Sequence, residues 1–108
     1  MKVKIPAKIR IGTHTYTIEL DPHLHSDDKD YGLINYRTQT IRIWSDAPKS
    51  IKDQSLLHEV IHLSQHIYRV DITDADIDRI AQCMCDFMIN NLGIDLDWGN
   101  IKSNKKED

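Results

Sequence analysis

The chain has 108 residues, 40% of them hydrophobic, and a formal net charge of −3 at pH 7. This length suits one small domain, and the intermixed acidic and basic residues form no basic face for nucleic acid. The apolar stretches are too short for a transmembrane helix, and the basic N-terminus lacks the apolar segment of a signal peptide. We therefore expect a cytoplasmic protein with one domain, residues 1–101, and a charged, disordered tail, residues 102–108.

The first half of the chain predicts β-strands. Residues 4–11 alternate apolar and polar side chains, a turn follows at Gly12, and residues 15–20 are rich in β-forming residues. Two further predicted strands, residues 31–36 and 40–44, flank a short turn. Because strands joined by short turns pair antiparallel, we expect an antiparallel sheet of about four strands.

The second half predicts two helices. Ser50–Asp53 has the form of a capping box, and apolar residues then recur at helical spacing as far as Tyr68. Thr73–Asp76 is a second capping box and marks the start of the second helix. Gly93 is suited to end this helix. The apolar residues expected to bury this second helix are Ile77, Ile80, Ala81, Met84, Phe87 and Met88. The predicted fold class is therefore α+β, a small antiparallel sheet followed by a helical hairpin.

A His-Glu-x-x-His motif lies inside the first predicted helix, at His58, Glu59 and His62. Residues four apart share a helix face at about 5–6 Å between Cβ atoms, so both imidazoles can bind one zinc ion. Glu59 points beside that ion, where it can deprotonate a zinc-bound water of pKa about 7. Shuffled sequences of this composition contain the pattern roughly 0.01 times per chain. The motif thus predicts Zn²⁺ as the cofactor, His58 and His62 as ligands, and Glu59 as the catalytic base.

A catalytic zinc needs a third protein ligand besides the two histidines. His66 continues the series, but three ligands at this spacing span about 12 Å of helix axis, too far for one ion. Tyr68 stands where a longer form of the motif places a third histidine, but that form also needs glycine at the position of Gln65, so we discard it. The remaining candidates are acids near the start of the second helix, Asp74, Asp76 and Asp78. Asp76 belongs to the capping box and points to the other flank of the helix, which leaves Asp74 and Asp78.

With these residues in place, the chain resembles small phage-type metallopeptidases related to the ImmA/IrrE family and to the minimal gluzincins. The resemblance covers residues 5–92 and is carried by Leu57–His62 and by the second helix, Thr73–Gln82. In that family the third ligand is usually Glu, followed four residues later by Asn. Asp78 and Gln82 occupy these positions here. The resemblance therefore implies a minimal zincin-like core with Asp78 as the third ligand, and Asp74 is the alternative.

The function implied is zinc-dependent hydrolysis of peptide bonds in a peptide or protein substrate. In the resembling family the strand before the motif helix lines the cleft, so an extended peptide is expected to add to it through backbone hydrogen bonds. The substrate-binding residues expected on this strand are Ile41, Arg42, Ile43 and Trp44. Candidates for stabilising the reacting carbonyl oxygen are Tyr36, His66 and Tyr68.

Two other functions remain open at this point. The first is a zinc-binding regulatory or partner-binding protein of phage type without catalytic activity. Glu59 disfavours it, because a purely structural zinc site needs no base. The second is a metal-free helical-hairpin interaction protein in which the motif is a coincidence. A chelator distinguishes them, because zinc binding is coupled to folding.

Overall fold

The computed structural model describes residues 1–25 and 31–103. Its strands are β1 (Lys2–Lys4), β2 (Lys8–Ile11), β3 (His14–Asp21), β4 (Gly32–Asn35), β5 (Thr40–Trp44), β6 (Asp95–Asp97) and β7 (Lys102–Ser103). Helices α1 (Lys49–Tyr68) and α2 (Asp74–Cys85) lie between β5 and β6, and a π-helical segment, Asp86–Asn91, continues α2. The α+β class is therefore confirmed. In this described part of the chain, no helix is long and apolar enough to cross a membrane.

The main sheet has the strand order β2-β3-β5-β4, with β7 beside β3. β2 with β3 and β4 with β5 form the two antiparallel pairs predicted. However, β3 and β5 run parallel, from Thr17 opposite Thr40 to Asp21 opposite Trp44. The expectation of an antiparallel sheet is therefore wrong, and the sheet is mixed. β4 takes the outer position of the sheet, and the hairpin of β4 and β5 places β5 alongside β3.

The C-terminal segment is joined to the rest of the fold by two parallel pairings. β6 pairs with β1, and β7 pairs with β3 at Glu19 and Leu20. Lys102 and Ser103, the first residues of the expected tail, thus belong to a strand. Residues 104–108, for which disorder was expected, lie outside the described residues.

The core lies between the main sheet and one face of α1. Alternate residues of the two central strands point into it, as the pleat of a β-strand requires, and α1 contributes residues two turns apart. Its buried members are Ile5, Tyr16, Ile18, Ile41, Ile43, Leu56, Leu63, Leu96 and Ile101. This packing fixes the rotation of α1 and thereby the direction in which its motif residues point.

The two predicted capping boxes have different outcomes. α1 begins after Pro48, which makes no side-chain cap hydrogen bond, so the box predicted at Ser50–Asp53 is not formed. The Asp53 side chain is instead turned inward and is 2% exposed. At α2 the cap at Thr73 is confirmed, because the Thr73 hydroxyl accepts a hydrogen bond from the Asp76 backbone N–H at 3.2 Å. The Asp76 carboxylate accepts a hydrogen bond from Arg79 at 3.1 Å.

The apolar stripe predicted on the second helix is only partly buried. Ile77 and Ala81 are fully buried. Ile80, Met84 and Phe87 are 42%, 45% and 55% exposed, so their expected burial is wrong. The reason is the size of the domain, because the main neighbour of α2 is α1 and a single neighbour covers one line of residues spaced by four.

Candidate functional site

Helix α1 presents the three motif residues in two directions. Glu59 lies on the same face as Leu56 and Leu63, toward the sheet, and is 8% exposed. The side chains of His58 and His62 point toward α2 and are 25% and 21% exposed. This division follows from the turn of about 100° between successive helix residues. The base predicted from the motif is thus buried beside a half-buried histidine pair.

The two histidines face each other through their Nε2 atoms, which are 3.1 Å apart. Two nitrogens bound to zinc at about 2.0–2.1 Å with tetrahedral geometry are roughly 3.4 Å apart. Burial, together with His62, lowers the pKa of His58, and the nearby carboxylates of Asp78 and Asp74 only partly oppose this. His58 is therefore neutral near pH 7, the form in which an imidazole binds a metal.

The two candidate acids approach the histidine pair from different sides. Asp78 Oδ1 is 3.5 Å from His58 Nδ1, the ring nitrogen that does not face His62. Asp74 Oδ1 is 3.9 Å from His62 Nε2, the nitrogen that faces His58. The Asp78 contact has the form in which a carboxylate orients a metal-binding histidine. Asp74 lies on the side where the metal itself would be bound.

The imidazole and carboxylate groups are of the kinds that bind zinc, and the spacing of the two histidines suits one zinc ion. Neither candidate carboxylate, however, is positioned as a third ligand. Across residues 1–25 and 31–103, no three His, Cys, Asp or Glu side chains converge closely enough to enclose a metal ion. Asp78 is held by Gln82 Nε2 at 2.8 Å and by Gln54 Nε2 at 3.5 Å. Its side chain is 46% exposed, and that of Asp74 is 88% exposed. Neither carboxylate is buried, so packing does not hold either of them in its present position.

A cleft of about 350 Å³ opens beside this pair. It is lined by Tyr31, Gly32, Ile51, Gln54, Ser55, His58, Glu59 and Asp78. The cleft thus brings the base, one histidine and one candidate acid together with the start of β4. Tyr31 and Gly32 belong to no motif, so their place in the cleft could not be predicted from the sequence.

The strand expected to bind an extended peptide lies in the interior of the sheet. β5 is paired with β3 on one side and with β4 on the other. Ile41 and Ile43 are fully buried in the core, and Arg42 donates a hydrogen bond of 2.9 Å to Asp21. A peptide therefore cannot add to β5 as expected, because both of its edges are occupied. Among the described strands, β4 is the outer one on the side of the cleft.

Trp44, the fourth residue expected to bind substrate, belongs to an aromatic stack. His25 lies between Trp44 and Tyr31, with ring centroids 4.5 Å and 4.9 Å away. Tyr31 also lines the cleft, so the stack supports one wall of it. The role of Trp44 here is to hold that wall through His25.

Of the three candidates for stabilising the reacting carbonyl oxygen, Tyr36 is placed on the Glu59 side. Its ring stacks on His66 with a centroid separation of 3.9 Å. Burial, with the nearby Glu59 charge, raises the pKa of Tyr36, so its hydroxyl stays protonated and able to donate a hydrogen bond. Tyr68 is 58% exposed at the end of α1, with its hydroxyl near Gly12. Tyr36 is thus within reach of the Glu59 charge, but it is not among the residues that line the cleft.

Comparisons of the chain with protein-family models, with curated proteins and with solved structures found no significant match. The resemblance to the ImmA/IrrE family therefore rests on the motif and its setting in the sequence. The zincin-like core, the zinc ion and the identity of the third ligand stay predictions.

Proposed function

We propose that this protein is a zinc-dependent metallopeptidase. The observation that carries the proposal is the convergence of the His58 and His62 Nε2 atoms, 3.1 Å apart, next to Glu59. The arrangement lies at a cleft of about 350 Å³, large enough for part of a peptide. A structural zinc site would need neither a buried carboxylate nor an open cleft beside it.

In the proposed reaction, Glu59 takes a proton from the attacking water while the water oxygen bonds to the peptide carbonyl carbon. Glu59 then delivers that proton to the amide nitrogen as the carbon–nitrogen bond breaks, which releases an amine and a carboxylate. Zinc, when bound, supplies a Lewis acid that lowers the pKa of the water to about 7. Tyr36 is the proposed hydrogen-bond donor to the carbonyl oxygen.

The third ligand in this proposal is Asp78, and Asp74 is the alternative. Asp78 is supported by its place in the cleft and by its match to the position of the third ligand in the resembling family. Asp74 is supported by its position 3.9 Å from His62 Nε2. The two assignments differ in a measurable way. Replacing the true ligand removes zinc, whereas replacing an acid that only orients His58 weakens zinc binding by about 10- to 100-fold.

The proposed substrate is an extended segment of a cytoplasmic peptide or protein. Among the described strands, β4 is the outer one on the cleft side, and the backbone N–H and C=O groups on the outer edge of a strand are suited to pair with such a segment. Such pairing uses the backbone of the substrate, so it gives little selectivity for the substrate's side chains. We therefore expect selectivity to come from the cleft walls near Tyr31 and Ile51.

The decisive experiment is the zinc content of protein purified without added metal. We expect about one zinc per chain in the wild type. His58→Ala should lose it, whereas His66→Ala, an exposed histidine two turns further along α1, is the matched control and should keep it. Glu59→Gln should keep zinc and lose hydrolysis of dye-labelled casein. A wild-type protein that stays free of zinc in excess metal would end the proposal.

A second candidate function is a zinc-binding regulatory or partner-binding protein without catalysis. The observation that favours it is the row of exposed apolar side chains on and after α2, Ile80, Met84 and Phe87, because such patches often bind partners. Glu59 separates the two functions. If Glu59→Gln behaves as the wild type in every assay while zinc removal does not, the protein acts through zinc binding alone.

A further inference from the structure

Gly32, the first residue of β4, makes an unusually close approach to the proposed base. A Cβ atom placed on Gly32 would lie 2.9 Å from Glu59 Oε2 and 3.1 Å from Glu59 Cγ. It would also lie 3.2 Å from Ile43 Cδ1. The first distance is shorter than real Cβ contacts, so any side chain here would have to displace its neighbours.

Space, not backbone conformation, requires the glycine. The glycines with positive φ are Gly12 and Gly93 among the described residues, so the backbone of Gly32 suits any residue. Of the two neighbours, Ile43 is fully buried in the core and cannot retreat. The carboxylate of Glu59 is the end of a flexible side chain and borders the cleft. An added methyl group would therefore move Glu59.

We propose that Gly32 is a positioning residue for the base Glu59. This inference rests on the proposed function. By leaving out a side chain, Gly32 gives the carboxylate its place between β4 and α1, next to His58. Because the base must lie within hydrogen-bond reach of the attacking water, a shift of its carboxylate slows proton transfer. The histidine pair faces α2 and is not touched by the missing side chain, so zinc binding should not depend on Gly32.

The test compares Gly32→Ala with wild type for zinc affinity, and for kcat and KM on dye-labelled casein. We expect kcat to fall by about 10- to 100-fold, the scale of a misplacement near 1 Å, with zinc affinity unchanged. Gly99→Ala is the matched control, because its added Cβ meets only the side chain of Asp97, at 3.1 Å, away from the cleft. It should leave kcat unchanged. A thermal melt of each variant verifies that it is folded.

A second background distinguishes displacement of Glu59 from a general structural defect. Glu59→Asp is one methylene shorter and removes the Oε2 contact at 2.9 Å, the closest of the three that the alanine would make. In this background, Gly32→Ala should lower the remaining kcat by less than about 3-fold, since coupled residues are non-additive. Equal losses in both backgrounds would overturn the inference, as would an unchanged kcat in Gly32→Ala.

The proposed function and this inference fail in different ways. A wild type that neither binds zinc nor cleaves casein contradicts both. A wild type that does both, with a Gly32→Ala variant of equal kcat, contradicts the positioning role alone. Parallel loss of zinc and kcat in Gly32→Ala would also contradict it, because the alanine would then be disturbing the histidine pair.

Discussion

Trp98 donates its indole N–H to the carboxylate of Asp53 over 2.8 Å and thereby joins the C-terminal segment to helix α1. Asp53 is 2% exposed, and its other oxygen accepts a hydrogen bond from Lys49 Nζ at 2.8 Å. Lys49 also pairs with Asp95 at 3.1 Å. A buried carboxylate is tolerated when such donors satisfy it. This network fixes the first turns of the helix that carries the histidine pair.

We predict that Trp98→Phe lowers the free energy of unfolding by about 1.5–3 kcal/mol, because it removes a hydrogen bond to a buried charge but keeps an aromatic ring. Urea denaturation measures the change. The control is Lys52→Ala, whose Nζ lies 5.7 Å from the Trp98 ring and contributes about 0.5–1 kcal/mol. A Trp98→Phe loss no larger than that of the control would show that the hydrogen bond contributes little.

Zinc should raise the thermal stability of the protein, because it binds the folded chain. At zinc 100-fold above its Kd the gain is about 2.7 kcal/mol, which for this length raises Tm by about 10–20 °C. Differential scanning fluorimetry with and without EDTA measures the shift. His62→Ala should abolish it, and His66→Ala should keep it. An equal shift in both variants would mean that zinc binds elsewhere.

The metal-free protein should lose stability on acidification through His58. Its pKa is lowered in the folded state by burial and by His62, against the pull of Asp78 and Asp74. The unfolded chain therefore takes up the proton first, so the unfolding free energy falls as pH drops below about 6.5 and levels off below the folded pKa. Urea midpoints in EDTA between pH 8 and 5 measure this. His58→Gln should show a weaker pH dependence, and an identical one would contradict the prediction.

Much of the local structure could be predicted from the sequence. Alternation and turn residues located the four strands β2 to β5, and the Thr73 cap located the start of α2. These features depend on residues close together in the chain. The motif likewise predicted that His58 and His62 face each other, because that relationship is set by the turn of one helix.

The rest depends on contacts between distant segments. The parallel pairing of β3 with β5 joins strands that are distant in the sequence, and nothing local to either strand encodes it. Asp53 resembles a cap residue in sequence, but Trp98 draws its carboxylate inward. The close approach of Gly32 to Glu59 is a contact between an edge strand and a helix, and a single glycine in the sequence does not predict such a contact.

The same substitution at two neighbouring isoleucines of α2 should have very different effects, because the apolar stripe of this helix is only partly buried. Ile77 is fully buried and Ile80 is 42% exposed. Ile77→Ala should cost about 2–5 kcal/mol of unfolding free energy, because it leaves a cavity in the contact with α1. Ile80→Ala should cost less than about 1 kcal/mol, because water already reaches that side chain. Urea denaturation at two protein concentrations measures both. A large cost at Ile80 that grows with concentration would contradict the exposure, because a second copy of the chain would then cover the stripe.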